Sequence, residues 1–105
     1  MIARVSLTAL FVATELFALP AAAQSYPPMG CLTRREAIAA VAAGRAMPLR
    51  QVRGTAETAA KGEMINADLC AKDGQLLYII TVLSQSGKVV YATLDAANGR
   101  VVNLK

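Results

Sequence analysis

Histidine and tryptophan are both absent from this chain, cysteine occurs twice, and aromatic residues fill only 5% of its 105 positions. Each shortage removes a class of function. Nucleophilic catalysis pairs a serine, threonine or cysteine with a base that takes its proton, and the usual base is histidine. Lysine serves in its place in some enzymes, but no Ser-x-x-Lys signature occurs. Without histidine, two cysteines are too few for a zinc-type metal site. Each of the seven glycines stands alone, so no glycine-rich loop is available to cradle a phosphate. The carboxylates Glu57, Glu63, Asp68, Asp73 and Asp95 have simpler places than acid-base pairs. Asp73 and Asp95 sit in or beside turns, and Glu57 and Glu63 flank a helix. The chain reads as a non-enzyme with no catalytic residue, cofactor or metal.

Acidic residues are also few, seven against eleven Lys and Arg, for a net charge of +4. A nucleic-acid binder gathers such a surplus into a basic stripe with aromatic stacking partners. Here the basic residues are scattered. Arg45, Arg50 and Arg53 come nearest to a cluster, and they read as a solvated helix surface. No nucleic acid is expected, only a weak preference for acidic partners or anionic membrane surfaces.

The last shortage is a hydrophobic run long enough to cross a membrane. Val5 to Leu19 is mostly apolar, but it is too short to span a hydrocarbon core comfortably, and Glu15 interrupts it. With Arg4 before it and Pro20-Ala21-Ala22-Ala23 after it, the segment has the layout of a secretory signal peptide over residues 1–23. Cleavage after Ala23 is expected to leave a mature chain from Gln24 without a stable membrane span, in the periplasm or secreted. Removing Arg4 and Glu15 leaves ten Lys/Arg against six Asp/Glu, so the net charge is unchanged.

One small domain follows, and chains of this size commonly need a covalent staple. In an oxidising compartment Cys31 and Cys70 read as one disulfide. It would close a loop of about 40 residues, worth about 4 kcal/mol in the chain-entropy model. A lipid-modified Cys31 would want an apolar residue three positions earlier, where Pro28 stands.

What is present is a regular punctuation of turns. Asp73-Gly74, Ser86-Gly87 and Asn98-Gly99 separate short β-branched runs in the last third of the chain. These pairs accept the positive φ angles that tight hairpins demand. The spacing predicts four antiparallel strands in a meander, over residues 63–71, 75–84, 88–96 and 100–104. Before them, residues 24–31 form an extended lead. Thr33 and Glu36 then make a capping box that opens a helix, with Ile38, Val41 and Ala42 as its apolar stripe and Gly44 as its stop. A second helix is expected over residues 49–60, with Leu49, Val52, Ala56, Ala59 and Ala60 inward and Gly62 ending it. The expected fold class is α+β, with one or two N-terminal helices packed on a four-stranded antiparallel meander. On the first strand Ile65, Ala67 and Leu69 share a face, which leaves Cys70 out of phase. Either a bulge intervenes or the lead wraps onto the strand's other face.

Residues 32–105 resemble a PepSY domain, the small module of thermolysin-like peptidase propeptides and of many bacterial envelope proteins. The resemblance rests on Leu32-Thr33-Arg34-Arg35-Glu36-Ala37, on Tyr78 within Leu77-Tyr78-Ile79-Ile80-Thr81-Val82, and on Leu94-Asp95-Ala96-Ala97-Asn98-Gly99-Arg100-Val101. It implies structural roles for Tyr78 in a core strand and for Asp95 and Gly99 at a turn. It implies no catalytic residue. It implies a protein partner, with restraint of a peptidase as one role; a second copy of the chain is another candidate partner. The cysteine pair and the apolar Ile79 and Leu83 depart from the commonest family pattern. In the family register Tyr78, Ile80, Val82, Val90, Ala92 and Leu94 face the helices. Period-two alternation then turns Ile79, Leu83, Val89 and Tyr91 outward as a candidate partner surface. The alternative is a small-molecule-sensing or structural envelope module unrelated to peptidases, which an apolar cleft between helix and sheet would mark.

Overall fold

The computed structural model of the protein describes residues 29–105. The leader expected over residues 1–23, and residues 24–28 of the extended lead, lie outside them. The elements run β1 (Met29–Cys31), α1 (Arg34–Ala42), α2 (Leu49–Ala60), β2 (Gly62–Lys72), β3 (Gln75–Ser84), β4 (Val89–Asp95) and β5 (Val101–Leu104). The strands form one antiparallel sheet in the order β1-β2-β3-β4-β5. The fold is α+β as expected, but the sheet has five strands rather than four. The extra strand is the end of the lead, paired against the free edge of β2 from Met29↔Lys72 to Cys31↔Cys70. Three residues carry no alternation to read, so only the tertiary pairing reveals it.

The turns behave as their residues require. Asp73 and Gly74 both have positive φ, 52° and 81°, between the paired Lys72 and Gln75, which is a type I′ hairpin. Gly87 supplies the left-handed residue of the β3–β4 loop at φ 89°. At the end of α2 the left-handed residue is Lys61, not Gly62. Gly62 opens β2 instead and lies so close to β3 that a Cβ there would run into the Leu83 carbonyl.

Helix α2 covers one face of the sheet, and α1 packs Ala40, Ala37 and Val41 against the same core. Helix α2 lies across β2, β3, β4 and β5 and buries Val52, Ala56 and Ala60. They meet Tyr78, Ile80 and Val82 of β3 and Ala92 and Leu94 of β4, as the alternation predicts. The capping box of α1 is formed: Thr33 Oγ1 accepts from the Glu36 N–H at 3.1 Å, and Glu36 Oε1 accepts from the Thr33 N–H at 2.8 Å. The inward face of α1 differs from the expected stripe. Ala40 is its buried residue, while Ile38 is 61% exposed and Ala42 is exposed.

One register shift occurs in β2, between Met64 and Asn66. It makes Ile65 a bulge residue, 56% exposed, and removes it from the face it was expected to share with Ala67 and Leu69.

Candidate functional site

The face of the sheet opposite the helices is the candidate site. Its layout follows from strand register. Leu83 pairs with Val89, Thr81 with Tyr91, Ile79 with Thr93 and Leu77 with Asp95. Paired residues share a face, so these side chains stand on the side away from Tyr78, Ile80 and Val82. All four expected surface residues are therefore where alternation puts them. Leu83, Val89 and Tyr91 are 44%, 47% and 50% exposed, and Ile79 is half-buried. Leu83 and Val89 are direct cross-strand neighbours, Tyr91 follows Val89 by two positions, and Ile79 lies diagonal to Tyr91, within reach of an aromatic ring. The four form one oblique apolar strip.

Polar groups flank the strip. On the β2 side Glu63 pairs with Leu83 and Asp68 with Ile79. On the β5 side Asn103 pairs with Thr93, and Lys105 exchanges backbone hydrogen bonds with Tyr91 at 3.0 and 3.1 Å. An apolar centre with a polar rim is the usual anatomy of an interface. Sequence reasoning passed over two extensions of this surface. Leu77 continues the strip toward the disulfide. At the sheet edge, every residue of β5 is exposed, including Val101, Val102 and Leu104. The same alternation reveals Leu77, whereas the openness of β5 depends on the fact that, among the described residues, no strand other than β4 pairs with it.

Cys31 and Cys70 are disulfide-bonded and directly paired across β1 and β2. Cys70 also pairs with Leu77, which places the bond on the outer face. That explains its phase: Leu69 points at the core, and Cys70 points away from it. The lead lies beside β2 as an edge strand, and the bulge sits elsewhere in the strand.

The three motif residues converge on the connection between the helices. The Tyr78 hydroxyl donates to the Met47 carbonyl at 2.6 Å, and the Met47 N–H donates to the Ala96 carbonyl at 2.7 Å. Gly99 has φ 76°, and a Cβ there would lie 3.1 Å from the Met47 sulfur, so both backbone conformation and space favour glycine. Asp95 Oδ1 accepts from the Ala97 N–H at 2.8 Å and Asp95 Oδ2 from the Gln75 side chain at 3.1 Å, shaping the β4–β5 turn on which Met47 rests. Burial raises the Tyr78 pKa above its ordinary value of 10.0. These residues hold the helical layer on the sheet.

Glu57 makes a second tie. Its Oε2 accepts from the Met64 N–H at 2.7 Å, beside the bulge, and from Arg53 Nε at 3.2 Å. The Met64 amide lowers the Glu57 carboxyl below its ordinary range; Arg53 adds to this, and desolvation partly opposes it.

Among the described residues no group of three His, Cys, Asp or Glu side chains stands close enough to hold a metal ion. No described helix is long and apolar enough to cross a membrane. No family model, curated protein or solved structure matches the chain.

Proposed function

We propose that this chain is a non-enzymatic, PepSY-like module of the bacterial envelope that docks on a protein partner through the outer face of its sheet. A peptidase is the partner class the resemblance implies. The observation that carries the reading is the asymmetry of the sheet. Helix α2 covers one face, with α1 packed against the same core through Ala40, and the other face leaves Leu83, Val89 and Tyr91 open to solvent beside Ile79. A contiguous apolar patch on a small domain commonly marks association. The open β5 edge offers backbone pairing groups beside it. The disulfide is consistent with an oxidising, extracellular compartment, and the leader motif supports export to the periplasm or medium.

The test is capture from periplasmic extract with the wild-type domain and with Ile79→Lys and Tyr91→Lys. The reading expects a peptidase captured by the wild type, with its activity altered, and neither effect with either variant. Tyr91→Lys should change stability by no more than about 0.5 kcal/mol, as exposed positions do. Variants that fold normally and capture the same proteins as the wild type would remove the outer face from association. The cleft between α1 and the sheet favours a second reading, in which the module takes a small molecule.

A further inference from the structure

Between helix α1 and the sheet lies an open cleft of about 480 Å³, within the range of small-ligand sites, about 300–1,000 Å³. Ala67 and Leu69 of β2 and Tyr78 of β3 form the floor, and Pro48 and Leu49 form the wall at the start of α2. Helix α1 lines it with Arg34, Ala37, Ile38, Val41 and Ala42, the i, i+3, i+4, i+7, i+8 spacing of one helix face. That face runs nine residues, Arg34 to Ala42, about 12 Å along the axis. It is apolar along its length and cationic at one end.

Among the described residues no carboxylate lines the cleft. Arg34 has, among the described residues, neither an ion pair nor a hydrogen-bond partner for its side chain. Ile38 stands at the lip 61% exposed, a large aliphatic side chain that an occupant would cover. The Tyr78 hydroxyl is already satisfied by Met47, so the floor presents its ring rather than a polar group in need of a partner.

We propose that this cleft binds a monomeric amphiphile with one anionic head, the head on Arg34 and the tail along Ile38, Val41 and Ala42 over Ala67 and Leu69. Charge complementarity selects the sign of the head, and the length of the apolar face selects a medium-length tail. The site lies on the opposite side of the sheet from Ile79, Leu83, Val89 and Tyr91, so it does not depend on the docking reading.

The experiment is calorimetric titration of the oxidised protein with dodecanoate below its micelle concentration. An uncharged dodecyl probe and anionic vesicles serve as parallel arms. Saturable one-to-one binding of dodecanoate is expected. Arg34→Glu should weaken it by at least about twofold to fivefold, the upper range for one ion pair at an exposed site, and leave the uncharged probe unaffected. Ala67→Phe, which fills the floor, should weaken both probes. Ile38→Asp should do the same from the exposed lip, where folding is not at stake, with the thermal midpoint as the check. Tyr91→Lys should change nothing here, which separates this site from the outer face. The proposal is overturned by the absence of saturable binding, by equal affinity in Arg34→Glu, by indifference to Ile38→Asp in a folded variant, or by binding to vesicles alone.

Discussion

The hydrogen bond from Tyr78 to the Met47 carbonyl is the sharpest single test of how the helices are held. Tyr78→Phe keeps the ring that packs in the core and removes only the hydroxyl. A net hydrogen bond is worth about 0.5–1.5 kcal/mol, and the loss rises to about 1–3 kcal/mol where a fully buried carbonyl is left unpaired. Met47 is half-buried, so water partly replaces the donor, and the expected loss is about 1–2 kcal/mol. For a domain of this size each kcal/mol moves the midpoint by about 4–8 °C, so thermal unfolding should fall by about 4–16 °C. The effect also depends on pH in a definite direction. Burial raises the folded-state pKa of Tyr78 above 10.0, so the folded state holds its phenolic proton more tightly than the unfolded state. The resulting stability is complete below the unfolded pKa and is lost as pH rises through the folded one. The wild type should therefore lose more stability than Tyr78→Phe above about pH 10, and the gap between them should narrow. Thermal unfolding at neutral and alkaline pH measures both. A midpoint shift below about 1 °C, or a gap that widens with pH, would refute the tie between the helical connection and the sheet.

Replacing both cysteines, Cys31→Ala with Cys70→Ala, opens a loop with a sequence separation of 39 and should cost about 4 kcal/mol in urea unfolding. A loss under about 1 kcal/mol would mean that the bond adds little restraint to the unfolded chain. Glu57→Gln should destabilise at neutral pH, because it weakens the acceptor for the Met64 N–H and removes the partner of Arg53. The Glu57 pKa is lowered on folding, so its contribution is present above the unfolded carboxyl pKa and lost as pH falls through the folded one. The penalty of Glu57→Gln should thus shrink in acid, below about pH 4. A penalty that does not vary with pH would assign Glu57 a purely steric role.

The parts of this fold that were legible in the sequence are those that local chemistry dictates. Asp73-Gly74 adopts the two positive φ angles of its hairpin wherever the flanking strands alternate, and Thr33 and Glu36 satisfy one another within four residues. Once Tyr78 is placed under the helices, the outward position of Ile79, Leu83, Val89 and Tyr91 follows from a period of two. Strand β1 was not legible, because three residues hold no period and their partner lies 39 positions away at the disulfide. The β2 bulge was hidden for a related reason. Met64, Ile65, Asn66 and Ala67 fit unbroken alternation equally well until β3 sets the register.

Helix α1 shows most clearly where periodicity stops being informative. Ala37, Ala39, Ala40, Ala42 and Ala43 leave it apolar on nearly every side, and small side chains give weak preference to any one of them. Ile38 and Val41 are its largest aliphatic residues, so the sequence directs them toward the sheet. The position of the helix is set instead by its ends. Leu32 donates its N–H to the Leu69 carbonyl at 2.8 Å, beside the disulfide, and Met47 is clamped between Tyr78 and Ala96. Between those two anchors α1 presses Ala40 onto the core and leaves Ile38 and Ala42 on the open side. The opening beneath α1 is thus a consequence of tethering both ends of an alanine-rich helix. Alanine at 67, in place of a larger residue, keeps the floor of that opening low. A larger apolar residue at 67 would fill the space under the helix, which is why substitution there tests the cleft and not merely the packing of α1.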